Sequence, residues 1–176
     1  MPTPIGHALA GIAVAGASRR SRASSRHVAI LAACAAAPDL DLVLRLVDGA
    51  NHHRGAFHSL GAAVLVALAT FLLRRGGVDL PRPSSMGAAW ASHVVLDYAG
   101  IDTSPPFGVM ALWPFSDAFH ISPVPFFYDI PRSFSAAAIR HNLVAVAMET
   151  AILAPLAWLC WGGFRARSGS RPAGRG

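Results

Sequence analysis

His93 and Asp97 stand four residues apart in the apolar stretch Ser92-His93-Val94-Val95-Leu96-Asp97. On a helix that spacing puts an imidazole and a carboxylate on one face, within reach of a common ion. The same residue types recur as His7 near the start, Asp39 and Asp41 after Pro38, and His53 and His58 around Arg54-Gly55. Imidazole and carboxylate together are the usual protein ligands of zinc and related divalent ions. All seven lie at or near the ends of apolar segments, where an ionisable group is costly and by default marks function. A plain alternative for His93 and Asp97 is a hydrogen-bonded pair in a helical bundle with no ion.

Each of the other clusters also carries two readings. Asp39 and Asp41 would point apart on a regular helix, but a chain broken at Pro38 lets both approach one site. Asp39 then serves as a general base, or only caps the half-helix that follows. Asp41 is the better ligand, or a carboxylate bridging two ions. Arg54, between His53 and His58, is placed to grip a phosphate or steady an oxyanion, or else to anchor at an interface. His52 reads as a solvated neighbour, and His27 and His141, each beside an arginine, as interfacial residues. Glu149, midway along the last apolar run, reads as a neutral acid or as the partner of a ligand histidine.

The elements that must position these residues are helices in a bilayer. The chain has 176 residues, 53% hydrophobic and 14% charged, with mean hydropathy +0.44. Soluble domains carry roughly 25% charged residues, so a bilayer is the economical cover for this composition. Apolar runs cover Pro4 to Ala17, His27 to Val47 with a break at Pro38, Ser59 to Leu73, Met86 to Tyr98 and Asn142 to Trp161. The fold class is all-α: an integral membrane bundle of about four to five apolar helices. A long irregular loop, Ala99 to Arg140, rich in Pro, Phe and Ser, lies over one face. Residues 1–164 form the membrane-embedded metal-binding domain, and 165–176 a basic, disordered tail. The first apolar run precedes its basic cluster, unlike a secretory signal, so it is expected to be retained. Cys34 and Cys160 read as buried thiols.

All fifteen basic residues are arginine. Without lysine, Schiff-base chemistry is excluded. If the segments alternate across the membrane, Arg45, Arg54, Arg132 and Arg140 fall on one side and the other eleven on the opposite, cytoplasmic side. The seven ligand-type residues then converge on the non-cytoplasmic face. Arginine in short clusters between apolar runs is an orientation signal, so no nucleic-acid partner is expected despite the net charge of +6.

Gly6-His7, Pro38-Asp39-Leu40-Asp41, His53-Arg54-Gly55 with His58-Ser59, Ser92-His93 with Asp97, and Trp113-Pro114-Phe115 resemble the motif series of the YdjM-type inner-membrane, predicted metal-dependent hydrolases. The resemblance implies a multi-pass inner-membrane protein with hydrolase activity, and a metal-site set of His7, Asp41, His53, His58, His93 and Asp97. A weaker similarity reaches zinc-dependent phospholipase C and P1-type nucleases, which use a His-x-x-x-Asp pair like His93 and Asp97. Their His-x-x-x-Glu pair has no equivalent here, because His141 and Glu149 are eight apart. One or two ions, zinc first, are therefore expected rather than three.

The expected chemistry is hydrolysis by metal-activated water. Asp39 or Asp41 takes the proton, Arg54 steadies negative charge, and the substrate is a phosphoester or lipid-like molecule near the bilayer surface. Two rivals use the same residues: a metal or ion transporter, with ligands at several depths, and a noncatalytic membrane scaffold whose polar residues pair with one another.

Overall fold

The computed structural model describes residues 1–18 and 24–168. It is all-helical: α1 Pro4–Ala17, α2 Ser25–Ala36, α3 Asp41–Asp48, α4 Leu60–Arg75, α5 Pro83–Tyr98 and α6 Ala136–Ser168, with no strand among the described residues. Two isolated bridges, Gly100 to Phe127 and Val109 to His120, tie down the long loop between α5 and α6.

Local sequence sets the helix ends. Thr3 caps α1, its hydroxyl accepting from the Gly6 N–H at 3.4 Å, and Pro4 occupies the first turn. α2 stops at Ala36 because Pro38 cannot continue it; a 3₁₀ turn, Ala37–Leu40, follows and leads into α3. Gly49, at φ 72°, closes α3 in the left-handed conformation. Ser59 opens α4 by accepting from Ala62 N–H at 3.0 Å. α6 begins well before Asn142, where the apolar run starts. Ser135 caps it, accepting from Ala138 N–H at 3.2 Å, and an alanine turn carries the helix into polar sequence. At the other end α6 continues through 165–168, residues that the sequence reading assigned to the tail. Residues 169–176 and the basic stretch with Arg19, Arg20 and Arg22 lie outside the described residues.

α1 is the hub, packed against α2, α5 and α6, while α5 also packs on α2 and α4. Two glycines let the helices close on α1. A Cβ on Gly11 would lie 2.5 Å from the Leu31 carbonyl of α2, and one on Gly16 would lie 2.8 Å from the backbone of Cys160 in α6. Small residues at such crossings are how helices approach without a hydrophobic drive between them. One apolar cluster joins Ala15, Leu31, Cys34, Ala35 and Ala89; another joins Ala10, Leu96, Phe127 and Leu153. Both cysteines are free thiols.

One helix among the described residues, Ala136–Trp161, is long and apolar enough to cross a membrane, with mean hydropathy 1.9 over its best window. Beyond Ala138 in its first turn, only a narrow stripe of it is buried, Ala145, Glu149, Leu153 and Ala157 at four-residue spacing; Leu143, Val144, Ile152, Leu156, Trp158 and Leu159 face outward. α1, α2, α4 and α5 have 12–16 residues. At 1.5 Å per residue they reach about 18–24 Å, short of the ~30 Å hydrocarbon core. Among the described residues, helix length therefore carries one span of the four to five apolar helices expected. α4 nevertheless exposes Val64, Leu65, Leu68, Phe71 and Leu72.

Candidate metal centre

Five separate elements deliver the histidines and aspartates to one place. α1 brings His7, the 3₁₀ turn after Pro38 brings Asp39, the first residue of α3 is Asp41, the loop before α4 brings His53 and His58, and α5 brings His93 and Asp97. His7, His58, His93 and the side chains of Asp41 and Asp97 are wholly buried. Asp39, 16% exposed, is the most open of the set. Its carboxylate does not cap α3, which has no side-chain cap; it faces the histidines instead.

Two groups of atoms emerge. In the inner one, Asp97 Oδ2 lies 3.3 Å from His58 Nε2 and 3.2 Å from His93 Nε2. Asp39 Oδ1 lies 3.7 Å from each of the same two nitrogens. In the outer group Asp41 approaches His53 Nδ1 at 3.0 Å through Oδ1 and His58 Nδ1 at 3.2 Å through Oδ2. Each group could hold an ion, its potential ligand atoms lying within 4.8 Å of one another. His58 belongs to both, one ring nitrogen to each.

The donor set fits a metal on three grounds. First, ligand atoms bound tetrahedrally at 2.0–2.1 Å stand about 3.3 Å apart, the spacing found here. Second, the buried atoms His58 Nδ1 and Nε2, His93 Nε2, Asp41 Oδ2 and both Asp97 oxygens make no hydrogen bond. Buried polar groups left so are costly and rare. Third, His93 Nδ1 lies 2.8 Å from the Ala35 carbonyl, which can only accept. The proton is therefore on Nδ1, and the Nε2 lone pair of neutral His93 faces two carboxylates. Lone pair against anion is repulsive unless a cation lies between. Without an ion, protons do the same work. Burial pulls His58 down, but the carboxylates of Asp39 and Asp41 beside its ring and the charge of Asp97 outweigh it and raise its pKa to about 9.

The remaining expected residues fall around these groups. His7 stacks on His93 with ring centroids 3.6 Å apart and puts Nε2 3.3 Å from Asp97 Oδ1, the oxygen turned away from the inner group. It stands beside the ligand groups rather than within either. Arg54 is displaced from its expected role. Its guanidinium is buried and committed: it pairs with Asp102, donates to the carbonyls of Ser104 and Pro106, and meets the Met1 sulfur. Its backbone, at φ 67°, is the one non-glycine with positive φ among the described residues. Such strain persists only where the surroundings over-determine it, as this clamp does. Arg54 thus fastens the long loop through Nε and Nη1.

A different arginine reaches the centre. Arg132, exposed on the loop before α6, sets Nη2 3.4 Å from His53 Nε2. No local signal marks it; only the path of the long loop brings it there. Beside it His53 lines a cleft of about 350 Å³ whose walls include Phe57, Met110, Trp113, Asp117 and Phe119. Glu149 is not a partner of the ligand histidines. Its carboxylate accepts from Thr3 N–H at 2.9 and 3.0 Å and from the Thr3 hydroxyl at 2.7 Å, pinning the start of α1 to α6. His52, His27 and His141 pair with Asp48, Asp79 and Asp129 at the surface.

No curated protein and no solved structure matches the chain. The sequence model of the YdjM inner membrane protein family matches residues 1–169, which takes in every element described above. With one apolar helix of spanning length and a buried His/Asp centre in that matched region, the chain belongs to the YdjM inner membrane protein family.

Proposed function

We propose that the protein is a membrane-bound metal-dependent hydrolase acting on a phosphoester or lipid-like substrate beside the bilayer. The observation that carries this reading is the set of buried, hydrogen-bond-free nitrogens and carboxylate oxygens at ligand spacing, next to an open cleft. A divalent ion bound there, zinc by its mixed imidazole and carboxylate donors, supplies Lewis acidity and lowers the pKa of its water toward neutrality.

The chain's own residues supply the rest. His93 is fixed in the ligand tautomer by the Ala35 carbonyl. Asp41 holds His53 and His58 in register from the side opposite Asp97. Arg132 puts a positive charge at the mouth, where an anionic ester group would arrive, and a guanidinium fork suits phosphate oxygens. The aromatic and methionine walls of the cleft suit an apolar substituent. Exposed Phe115 and Phe134, 95% and 98% accessible, belong to the same loop and suit contact with lipid.

The test is elemental analysis of detergent-purified protein together with hydrolysis of a phosphoester panel with and without zinc. Bound zinc at one or two equivalents, and hydrolysis that stops on chelation, are expected. Metal-free protein that stays metal-free in excess zinc would remove the reading.

A further inference from the structure

The inner and outer groups differ in a way that assigns them different work. The inner group offers four ligand residues, Asp39, His58, His93 and Asp97; the outer offers three, Asp41, His53 and His58. Four protein ligands complete a tetrahedral shell, as in structural zinc sites, whereas catalytic sites present three and leave the fourth position open. Of the outer ligands, His53 lines the 350 Å³ cleft; none of the inner four does. Asp39 reaches solvent, yet as the fourth ligand it closes the inner shell rather than opening it.

We propose that this centre holds two ions with divided labour, a closed inner one that holds the fold and an outer one that keeps an open position for substrate, with His58 joining them through opposite ring nitrogens. This rests on the hydrolase reading only for what the open position does; the two ions stand or fall by themselves. Neutral His58 carries one N–H proton, so filling both groups releases that proton to solvent and leaves the ring an imidazolate bridge. With an ion on His53 Nδ1, the proton of that ring sits on Nε2. In the structure His53 Nε2 accepts from Arg132 Nη2–H at 3.4 Å beside the cleft; once it carries the proton the two groups are facing donors that cannot bond one another. Two facing donors call for an anionic acceptor between them, the role a phosphoryl oxygen of a substrate held at the open position would fill.

The experiment is a cobalt(II) titration of metal-stripped wild-type protein, read by visible absorption, with inorganic phosphate added after each equivalent. Saturation at two equivalents is expected, with phosphate altering the spectrum of the second and leaving the first unchanged. His53→Ala and the more conservative His53→Gln should saturate at one equivalent that phosphate does not perturb, with an unchanged helical circular dichroism spectrum. His93→Ala should lose the phosphate-insensitive equivalent. Saturation of wild type at one equivalent, or two equivalents retained in both His53 variants, would overturn the proposal. Two ions without hydrolysis of any ester would sink the hydrolase reading and leave the two-site centre. Hydrolysis with one ion would do the reverse.

Discussion

The molecule buries charge in two places and treats it oppositely. At the Arg54 clamp, the guanidinium meets a carboxylate, two carbonyls and a sulfur, all from the chain. At the His/Asp centre, three carboxylates face imidazole nitrogens that make no hydrogen bond to them, apart from the Asp41 to His53 contact. At the clamp a buried cation meets its own counter-charge; at the centre buried lone pairs and carboxylates crowd together with no cation of the chain among them. Burial alone therefore does not mark a functional site; several like lone pairs gathered at ligand spacing do.

The sharpest way to break this comparison is Arg54→Ala. Removing one partner of a buried pair leaves Asp102 uncompensated and should cost about 3–5 kcal/mol of stability. Denaturant unfolding in detergent would measure it, and zinc affinity of the folded fraction should stay within about threefold, since no ligand is touched. Equal loss of zinc affinity would mean that the clamp belongs to the metal site.

His93→Ala and Asp97→Ala probe the other side of the contrast. Zinc affinity, measured by chelator competition, should fall by more than about 100-fold, beyond the 10–100-fold typical of residues behind the ligands. Chelation should lower the melting temperature of wild type more than that of His93→Ala, which keeps only the outer ion, because an ion stabilises only the state that binds it. His7→Ala, outside both groups, should weaken zinc less than either.

Glu149→Gln exchanges a carboxylate for a neutral acceptor at the Thr3 contacts. A loss of about 1.5–3 kcal/mol is expected, the range for a hydrogen bond to a charged group. Zinc stoichiometry should not change; a lost equivalent would make Glu149 part of the centre after all.

The smallest effect is at Asp129, a surface counterpart whose hydrogen bonds are met. Burial raises its pKa, but the Thr103 hydroxyl and His141 outweigh this and hold it below the ordinary 3.8. A depressed folded-state pKa stabilises above the unfolded value and is lost as pH falls through the folded one. The stability gap between wild type and Asp129→Asn should therefore be constant from pH 6 down to about 4 and shrink below it.

How much of this could be read from the chain depends on the range of the contacts. The break at Pro38 and the caps Thr3 and Ser59 are local and follow from sequence alone. So does the shared face of His93 and Asp97, because a helix fixes neighbours four apart. The fates of Arg54 and Arg132 were not legible. Each is decided by loop residues about fifty to eighty positions away, and neither Asp102 nor His53 advertises its partner locally. A still larger separation, 146 positions, hid the Thr3 to Glu149 link. The early start of α6 was missed for another reason: Ser135 before three alanines is a cap signal, but His141 and Asn142 look like the boundary of an apolar run. Of the apolar runs counted in the sequence, one has spanning length among the described residues, because hydrophobicity says that a segment avoids water, not how far it reaches.

The bare surface of Gly16 has a consequence beyond packing. It sets how near α6 may stand to α1, and His7 lies on that same rod two and a half turns away. A single added methyl group there would act as a shim. It would lever one imidazole against its stacked neighbour without any change to the residues that do the chemistry.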